Sequence, residues 1–313
     1  MTDTPATPPP DASDEVALAV RTLMPDLRRL GGLTAALIAG VAVVSGVVTL
    51  MIASSAMAGD DRFKAALIAL GTGAAIIFYC HRWMIRRQEA AVMPVLARSI
   101  GMHFDKDAKS FLNGLPARLL PKGVRKAEDH VHGDLGAHAI QMAEVHIETG
   151  GKNSRTLFQG IVAQFLNRVD MPAFFIAPED KTRPGMFFGG DLSTDGLHHL
   201  RTVLHGGRAY GIWTSWSQME EPPALAAVID VLTRIENHIG HGAQLYAATS
   251  NGKEMHVALS HGRNLFRVGG LFPSESEIFA DVRAAMQDLS VPITLAKALI
   301  SAEEAAMAKV KGA

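Results

Sequence analysis

The sequence predicts an α+β fold in which a hairpin of two transmembrane helices precedes a cytoplasmic domain with a mainly antiparallel sheet and packed helices. Three observations predict this fold. Residues 30–58 and residues 65–80 carry no charged side chain. Several β-rich segments follow, separated by turn-forming residues. Two later segments have apolar residues at the three- and four-residue spacing of an amphipathic helix.

The first uncharged segment is long enough to cross a membrane, because a helix needs about 20 apolar residues to span the hydrocarbon core. It is too long for the apolar region of a signal peptide, which has about 7–15 residues. The second segment reaches spanning length when residues 83–85 are included. The stretch "GDDRFK" between them is expected to form a tight loop. The alternative is a soluble protein that buries both segments as core helices.

Small residues predict how the two helices meet. Ala36 with Gly40, and Ala42 with Gly46, are four residues apart and therefore lie on one face of a helix. Such pairs allow a second helix to approach closely. We therefore expect the second helix to pack against these positions.

The basic residues predict the orientation of the hairpin. Six arginines lie outside the two segments, whereas only two basic residues lie between them, and basic residues favour the cytoplasmic side. The sequence therefore predicts a bacterial inner-membrane protein with two spans and both termini in the cytoplasm. The outer arginines are Arg21, Arg28, Arg29, Arg82, Arg86 and Arg87, and the inner residues are Arg62 and Lys64.

Three regions follow from this pattern. Residues 1–28 are predicted to be a tail, disordered at first and then a short amphipathic helix that ends near Pro25. Residues 29–86 form the transmembrane hairpin, and residues 87–313 form the cytoplasmic domain. We expect that deletion of residues 1–84 leaves a soluble, folded domain, because the later segments have apolar faces of their own.

The elements of the cytoplasmic domain can be read in order. A helix is expected to restart at Pro94, and the chain up to residue 122 looks like short helices and turns. A helix begins at Pro222 and Pro223, a second begins with a capping box of Ser274 and Glu277, and a last one covers residues 293–309. The predicted strands are 124–132, 137–148, 154–166, 173–178, 208–216, 244–250 and 254–260, with the turn "NGK" between the last two.

The order of several motifs resembles a known bacterial family. After the two spans come "EDHVHG", "IQMAEVHIET", "TLFQGIVAQF" and the late "LYAATSNGKEMHVALSHGRNLFRV". This order resembles the two-span membrane proteins that contain the domain of unknown function 3137, over residues 85–300. The resemblance implies membrane location and fold, and a LemA-like membrane protein as a partner, but no reaction. The chain departs from the family at "YGIWTSWSQMEEPP", where a more charged stretch is expected.

Composition limits the classes of function. The 313 residues include 30 basic and 31 acidic side chains, so no overall charge favours nucleic acid. The single cysteine excludes an intramolecular disulfide. Because no catalytic or phosphate-binding motif is present, neither an enzymatic activity nor a cofactor is expected. The sequence therefore favours an accessory or scaffold protein for a partner, and the alternative is a membrane-bound ligand- or metal-sensing module.

The richest chemistry lies in residues 128–151, which contain four histidines. A two-residue turn on Asp134 and Leu135 would place His130 and His132 on one face of a hairpin and His138 on the other. Because the three histidines would not converge, tight metal binding is not expected, and His130 and His132 should titrate as exposed side chains near pH 6.5. The weak candidates for metal ligands are His130, His132, Glu144 and His146.

A second candidate site is aromatic. Tyr210, Trp213 and Trp216 lie close together in the sequence and could form a surface on which a ligand stacks. The alternative is that these rings belong to the core or to the surface of the sheet.

Overall fold

The structure is a computed structural model, and it places the chain in two compact units. The first unit comprises Met1–Ser99 and Phe266–Met286, and the second comprises Ile100–Leu265 and Gln287–Ala313. The predicted boundary near residue 86 does not divide the chain in this way. The structure describes residues 10–55, 59–135, 138–167, 171–182, 192–194, 196–218, 221–235, 243–262, 265–271 and 274–312.

Two long helices dominate the first unit. Helix α1 covers Pro10–Ala53 and helix α2 covers Gly59–Ser99. Both are long and apolar enough to cross a membrane. At 1.5 Å per residue they are about 66 and 61 Å long, roughly twice the thickness of the hydrocarbon core. The predicted loop "GDDRFK" is instead the start of α2, where Asp60 and Asp61 interact favourably with the positive end of the helix dipole.

The apolar side chains of α1 and α2 are exposed over the membrane-length segments. In the described part of the chain, all but three of the exposed large apolar side chains lie on these two helices. Such a surface is unfavourable in water and favourable in lipid. The largest exposed fractions include those of Val43, Leu50, Met51, Phe63, Ile68, Phe78 and Tyr79.

Helices α1 and α2 approach each other at Gly73 rather than at the predicted small pairs. A Cβ atom built on Gly73 would lie 2.9 Å from the Cβ of Ser45, whereas one built on Gly40 or Gly46 would have no neighbour within 4 Å. The hydroxyl of Ser45 also lies 3.5 Å from the carbonyl oxygen of Ala69. The prediction of close packing at Gly40 and Gly46 was therefore wrong, because those glycines face away from the second helix.

Beyond these segments, the first unit has a small core of its own. Gln88 Nε2 donates hydrogen bonds to the carbonyl oxygens of Leu27 and Gly270, at 3.3 and 3.1 Å. Arg21 and Glu275 form an ion pair at 3.2 Å. The helix predicted to end near Pro25 continues through it, and α2 likewise continues through Pro94. The tertiary packing that buries these turns outweighs the local cost of proline.

The second unit contains one antiparallel sheet of nine strands, which confirms the predicted fold class. Their order across the sheet is β1-β2-β3-β4-β9-β8-β5-β7-β6. The strands are β1 (Met102–Asp107), β2 (Val124–Leu135), β3 (His138–Glu148), β4 (Thr156–Leu166), β5 (Phe174–Pro178), β6 (His198–His205), β7 (Arg208–Thr214), β8 (Gln244–Ser250) and β9 (Glu254–Ser260).

The two strands that the sequence did not predict are the two edges of this sheet. Strand β1 has the sequence MHFDKD and β6 has HHLRTVLH. Both are rich in polar and charged residues, as edge strands commonly are, because such residues discourage pairing with another chain. The low apolar content therefore hides the strand pattern at these two positions.

One face of the sheet packs against helix α3 (Lys109–Gly114) and the segment that follows it. Phe111, Leu112, Leu119 and Leu120 join a buried cluster with the inward side chains of the central strands. These side chains are Ala143, Val145, Ile147, Phe158, Val162, Phe175, Ala177, Tyr246, Ala247 and Ala258. We call this side of the sheet the α3 face.

Three further helices complete the described chain: α4 (Glu179–Thr182), α5 (Pro223–Thr233) and α6 (Glu275–Gly312). The predicted capping box is present at the start of α6, since Glu277 N donates to Ser274 Oγ at 3.2 Å and Ser274 N donates to Glu277 Oε2 at 2.8 Å. The hydrogen bonds that the backbone N–H and then the hydroxyl of Ser274 donate to Glu277 Oε2, both at 2.8 Å, hold the pKa of Glu277 below its usual value. The two helices predicted after residue 274 are one continuous helix through Pro292.

Candidate functional site

A bulge in β2 determines where the histidines point. Glu128 pairs with Glu144 and Val131 pairs with Met142, so that Asp129 and His130 together oppose the single residue between those partners on β3. Asp129 has a φ of 60°, a left-handed conformation that aspartate tolerates better than most residues. Its buried carboxylate forms an ion pair of 2.7 Å with Lys106 of β1. Bulges of this kind re-aim side chains and are common beside functional sites.

Three potential metal ligands converge next to this bulge. Asp105 of β1 pairs with His130 in the register of the sheet. The ligating atoms of Asp105, His130 and His132 all lie within 4.8 Å of one another. His132 Nε2 is 3.0 Å from Asp105 Oδ2. The site is open on one side, since the side chain of Asp105 is 63% exposed and that of His132 is 35% exposed.

His130 is held firmly on the inner side of this cluster. Its ring stacks on Phe111 of α3 with 5.3 Å between centroids, and its Nε2 lies 3.3 Å from Gln141 Oε1 on β3. Burial and then the neighbouring His132 lower the pKa of His130, against the hydrogen bond with Gln141 and the charge of Asp105. The prediction that His130 titrates as an exposed histidine was therefore wrong, because the ring is buried and this burial lowers its pKa.

The hairpin turn lies farther along the chain than predicted. Asp134 and Leu135 are not the turn but the end of β2, paired with Ala139 and His138. The connecting residues 136 and 137 lie outside the described part of the chain. His132 is paired with Gln141, so these two side chains lie on the same face of the sheet. His138 is three positions from Gln141 on the same strand and therefore lies on the opposite face, as predicted.

The other two candidate ligands do not join the cluster. Glu144 and His146 are odd numbers of positions from Gln141 on the same strand, so both lie on the opposite face of the sheet. Glu144 Oε1 accepts a hydrogen bond from the backbone of Leu265 at 3.4 Å. His146 Nε2 is 2.7 Å from Glu148 Oε1. This hydrogen bond, with smaller contributions from Ser154 and Lys126, lowers the pKa of Glu148.

The aromatic residues do not form one stacking surface. Tyr210 is 1% exposed, so it presents no ring face to a ligand. Trp213 is three positions farther along β7 and therefore points to the other side of the sheet, where its ring packs beside Phe175 and His199 at 5.7 and 5.5 Å. Trp216 follows the end of β7. The geometry of the strand thus separates the ring of Tyr210 from that of Trp213.

A groove between β6 and α5 is an alternative pocket. It has a volume of about 330 Å³. Two arginines line it, but each already has a carboxylate partner: Arg201 is 3.3 Å from Glu221, and Arg234 is 2.9 Å from Asp230. These pairs leave less positive charge available for an anionic ligand.

Comparisons with known proteins identify little. No protein family matches the chain, and no curated protein does. The chain is similar to the crystal structure of the mycobacterial trehalose monomycolate transport factor A, TtfA, with 13% identity and a TM-score of 0.32 over 66% of this chain and 94% of that one. Because this similarity is so low, no role is transferred from it. The resemblance to the family of unknown function remains a prediction.

The sequence identified His130 and His132 but missed Asp105. A signal for it was present, since "HFD" and "HVH" each place polar ligands two residues apart. In an antiparallel pair, side chains at such spacing share one face. The pattern could not be used because β1 was not recognised as a strand.

Proposed function

We propose that this protein is a membrane-anchored accessory protein that presents its sheet domain to a protein partner in the cytoplasm. The observation that carries this proposal is the exposed apolar surface of α1 and α2. Both helices meet the length and composition needed to span a membrane. The second unit has a separate core around the α3 face, so it does not depend on lipid to bury its own apolar residues.

The orientation follows from the arginines, which outnumber the basic residues between the spans by six to two. Both termini are in the cytoplasm and the bilayer is the bacterial inner membrane. Reporter fusions after residue 14 and at residue 313 test this topology, and both should give a cytoplasmic signal. A periplasmic signal from either fusion contradicts the hairpin.

The partner is a membrane protein of the LemA-like kind, a proposal supported by the family resemblance. The full chain, purified in mild detergent, should carry this partner in a fixed ratio that survives gel filtration. A matched control is the full chain with the groove residues Arg201 and Arg234 changed to Gln, since these residues belong neither to α1 or α2 nor to the buried cluster of the α3 face. Recovery of the full chain alone, with a LemA-like protein present in the same membranes, contradicts the proposal.

A further inference from the structure

We propose that Asp105, His130 and His132 form a binding site for one divalent first-row transition metal ion. This site goes beyond the proposed accessory function and does not depend on it. It supplies two imidazole nitrogens and one carboxylate oxygen from adjacent strands. Zinc sites that keep an open position use such a ligand set, and so do non-haem iron sites.

The distances fit such an ion. Ligands about 2.1 Å from a metal are about 3.0–3.4 Å from one another in octahedral or tetrahedral geometry. The contact between His132 and Asp105, at 3.0 Å, already has this separation. All three ligand atoms are within 4.8 Å of one another, so the third atom is at most about 2 Å from the separation that coordination requires.

The surroundings of the site are those of a preorganised metal centre. His130 is fixed by the ring of Phe111 and by the amide of Gln141. When Gln141 accepts the Nε2 proton of His130, the Nδ1 lone pair is available to a metal, and such outer hydrogen bonds orient metal-binding histidines. Lys106 holds the bulge at Asp129, and the register of β1 with β2 places His130 directly opposite Asp105. Side chains on paired strands are positioned more precisely than side chains on loops.

The exposed side of the site shapes its chemistry. With three protein ligands and Asp105 and His132 accessible to solvent, the remaining coordination positions are open to water or to a small ligand. Soft thiolate ligands are absent, because the only cysteine, Cys80, belongs to the first unit. This ligand set favours Zn²⁺, Fe²⁺, Co²⁺ or Ni²⁺ over Mg²⁺ and Ca²⁺, which prefer oxygen ligands alone.

The test uses the full chain in mild detergent, without a histidine tag and after treatment with a chelator. Zn²⁺ is the probe, measured by competition with a chromophoric chelator and by elemental analysis. We expect one Zn²⁺ per chain. Asp105→Asn and His132→Gln should each weaken binding about a hundredfold or more, since loss of even an outer partner costs about 10–100-fold. Both side chains lie at the open side of the site, so neither change should prevent folding.

The matched control is His146→Gln. His146 also contacts a carboxylate, that of Glu148 at 2.7 Å, but the structure provides no third ligand near that pair within the described residues. This variant should bind Zn²⁺ as the natural chain does. A Co²⁺-loaded chain adds a second readout, since its visible absorption should change in Asp105→Asn and not in His146→Gln. Equal Zn²⁺ affinity in all variants, or the absence of stoichiometric binding to the natural chain, would overturn the proposal.

Discussion

The buried histidine of β9 makes a specific prediction about the dependence of stability on pH. His256 is 4% exposed, and burial lowers its pKa to about 4. In the unfolded chain a histidine has a pKa of about 6.5. Between these two pKa values, His256 is protonated in the unfolded chain but neutral in the folded chain. The contribution of neutral His256 to the free energy of unfolding is therefore complete well above pH 6.5. It is lost as the pH falls toward 4.

The magnitude follows from these two pKa values. The difference between the two pKa values destabilises the folded state by about 3 kcal/mol once the pH is below both of them, at 1.36 kcal/mol for each pKa unit. Between pH 7.5 and pH 5 the corresponding loss is about 2 kcal/mol. His256→Gln removes the titration and keeps a neutral polar side chain. Between pH 7.5 and pH 5, the free energy of unfolding of this variant should therefore fall by about 2 kcal/mol less than that of the natural chain.

The assay is urea unfolding of the full chain in mild detergent, followed by tryptophan emission. A Trp83→Phe background leaves only Trp213 and Trp216, which both belong to the second unit. His198→Gln is the control, because His198 is exposed on the edge strand β6, and it should keep the pH dependence of the natural chain. An equal loss of stability in His256→Gln and in the natural chain would refute the reasoning.

Two further predictions concern the first unit. Gly73→Leu should destabilise the packing of α1 against α2 by about 1–3 kcal/mol, because its side chain would meet Ser45. Gly71→Leu is the control, since nothing lies within 4 Å of its Cβ position; equal melting temperatures in detergent would contradict the packing. Deletion of residues 1–84 should give an aggregated chain in gel filtration, contrary to the expectation from sequence, because Phe266–Met286 packs with the deleted helices. Replacing the buried Ile278 and Val282 by Gln should restore solubility, and a monodisperse truncated chain without these changes would show that the first unit is dispensable.

The predictions from sequence succeeded where apolar patterns are strong and local. The central strands β3, β4, β8 and β9 are rich in apolar residues and bounded by turn residues, so their positions were predictable. The capping box at Ser274 was also predictable, because it depends on residues only three positions apart. The helix breaks expected at Pro25 and Pro94 do not occur, since the local effect of proline is overridden by packing from distant segments.

The missed part of the metal site has a related cause. A strand that is polar enough to protect the edge of a sheet no longer shows the alternation by which strands are found. In β1, however, the polar residues alternate with Met102, which is buried, and Phe104, which is half-buried, while His103 and Asp105 are exposed. Such a strand can protect an edge and carry ligands with the same side chains. A bound ion would add a further link between β1 and β2 beside the ion pairs of Lys106 with Asp129 and Glu128. Hydrogen exchange of the β1 amides should therefore slow on addition of Zn²⁺. Asp105→Asn should abolish this slowing, because it removes the ligand that β1 contributes, and unchanged exchange in the natural chain at saturating Zn²⁺ would show that the ion does not bridge these strands.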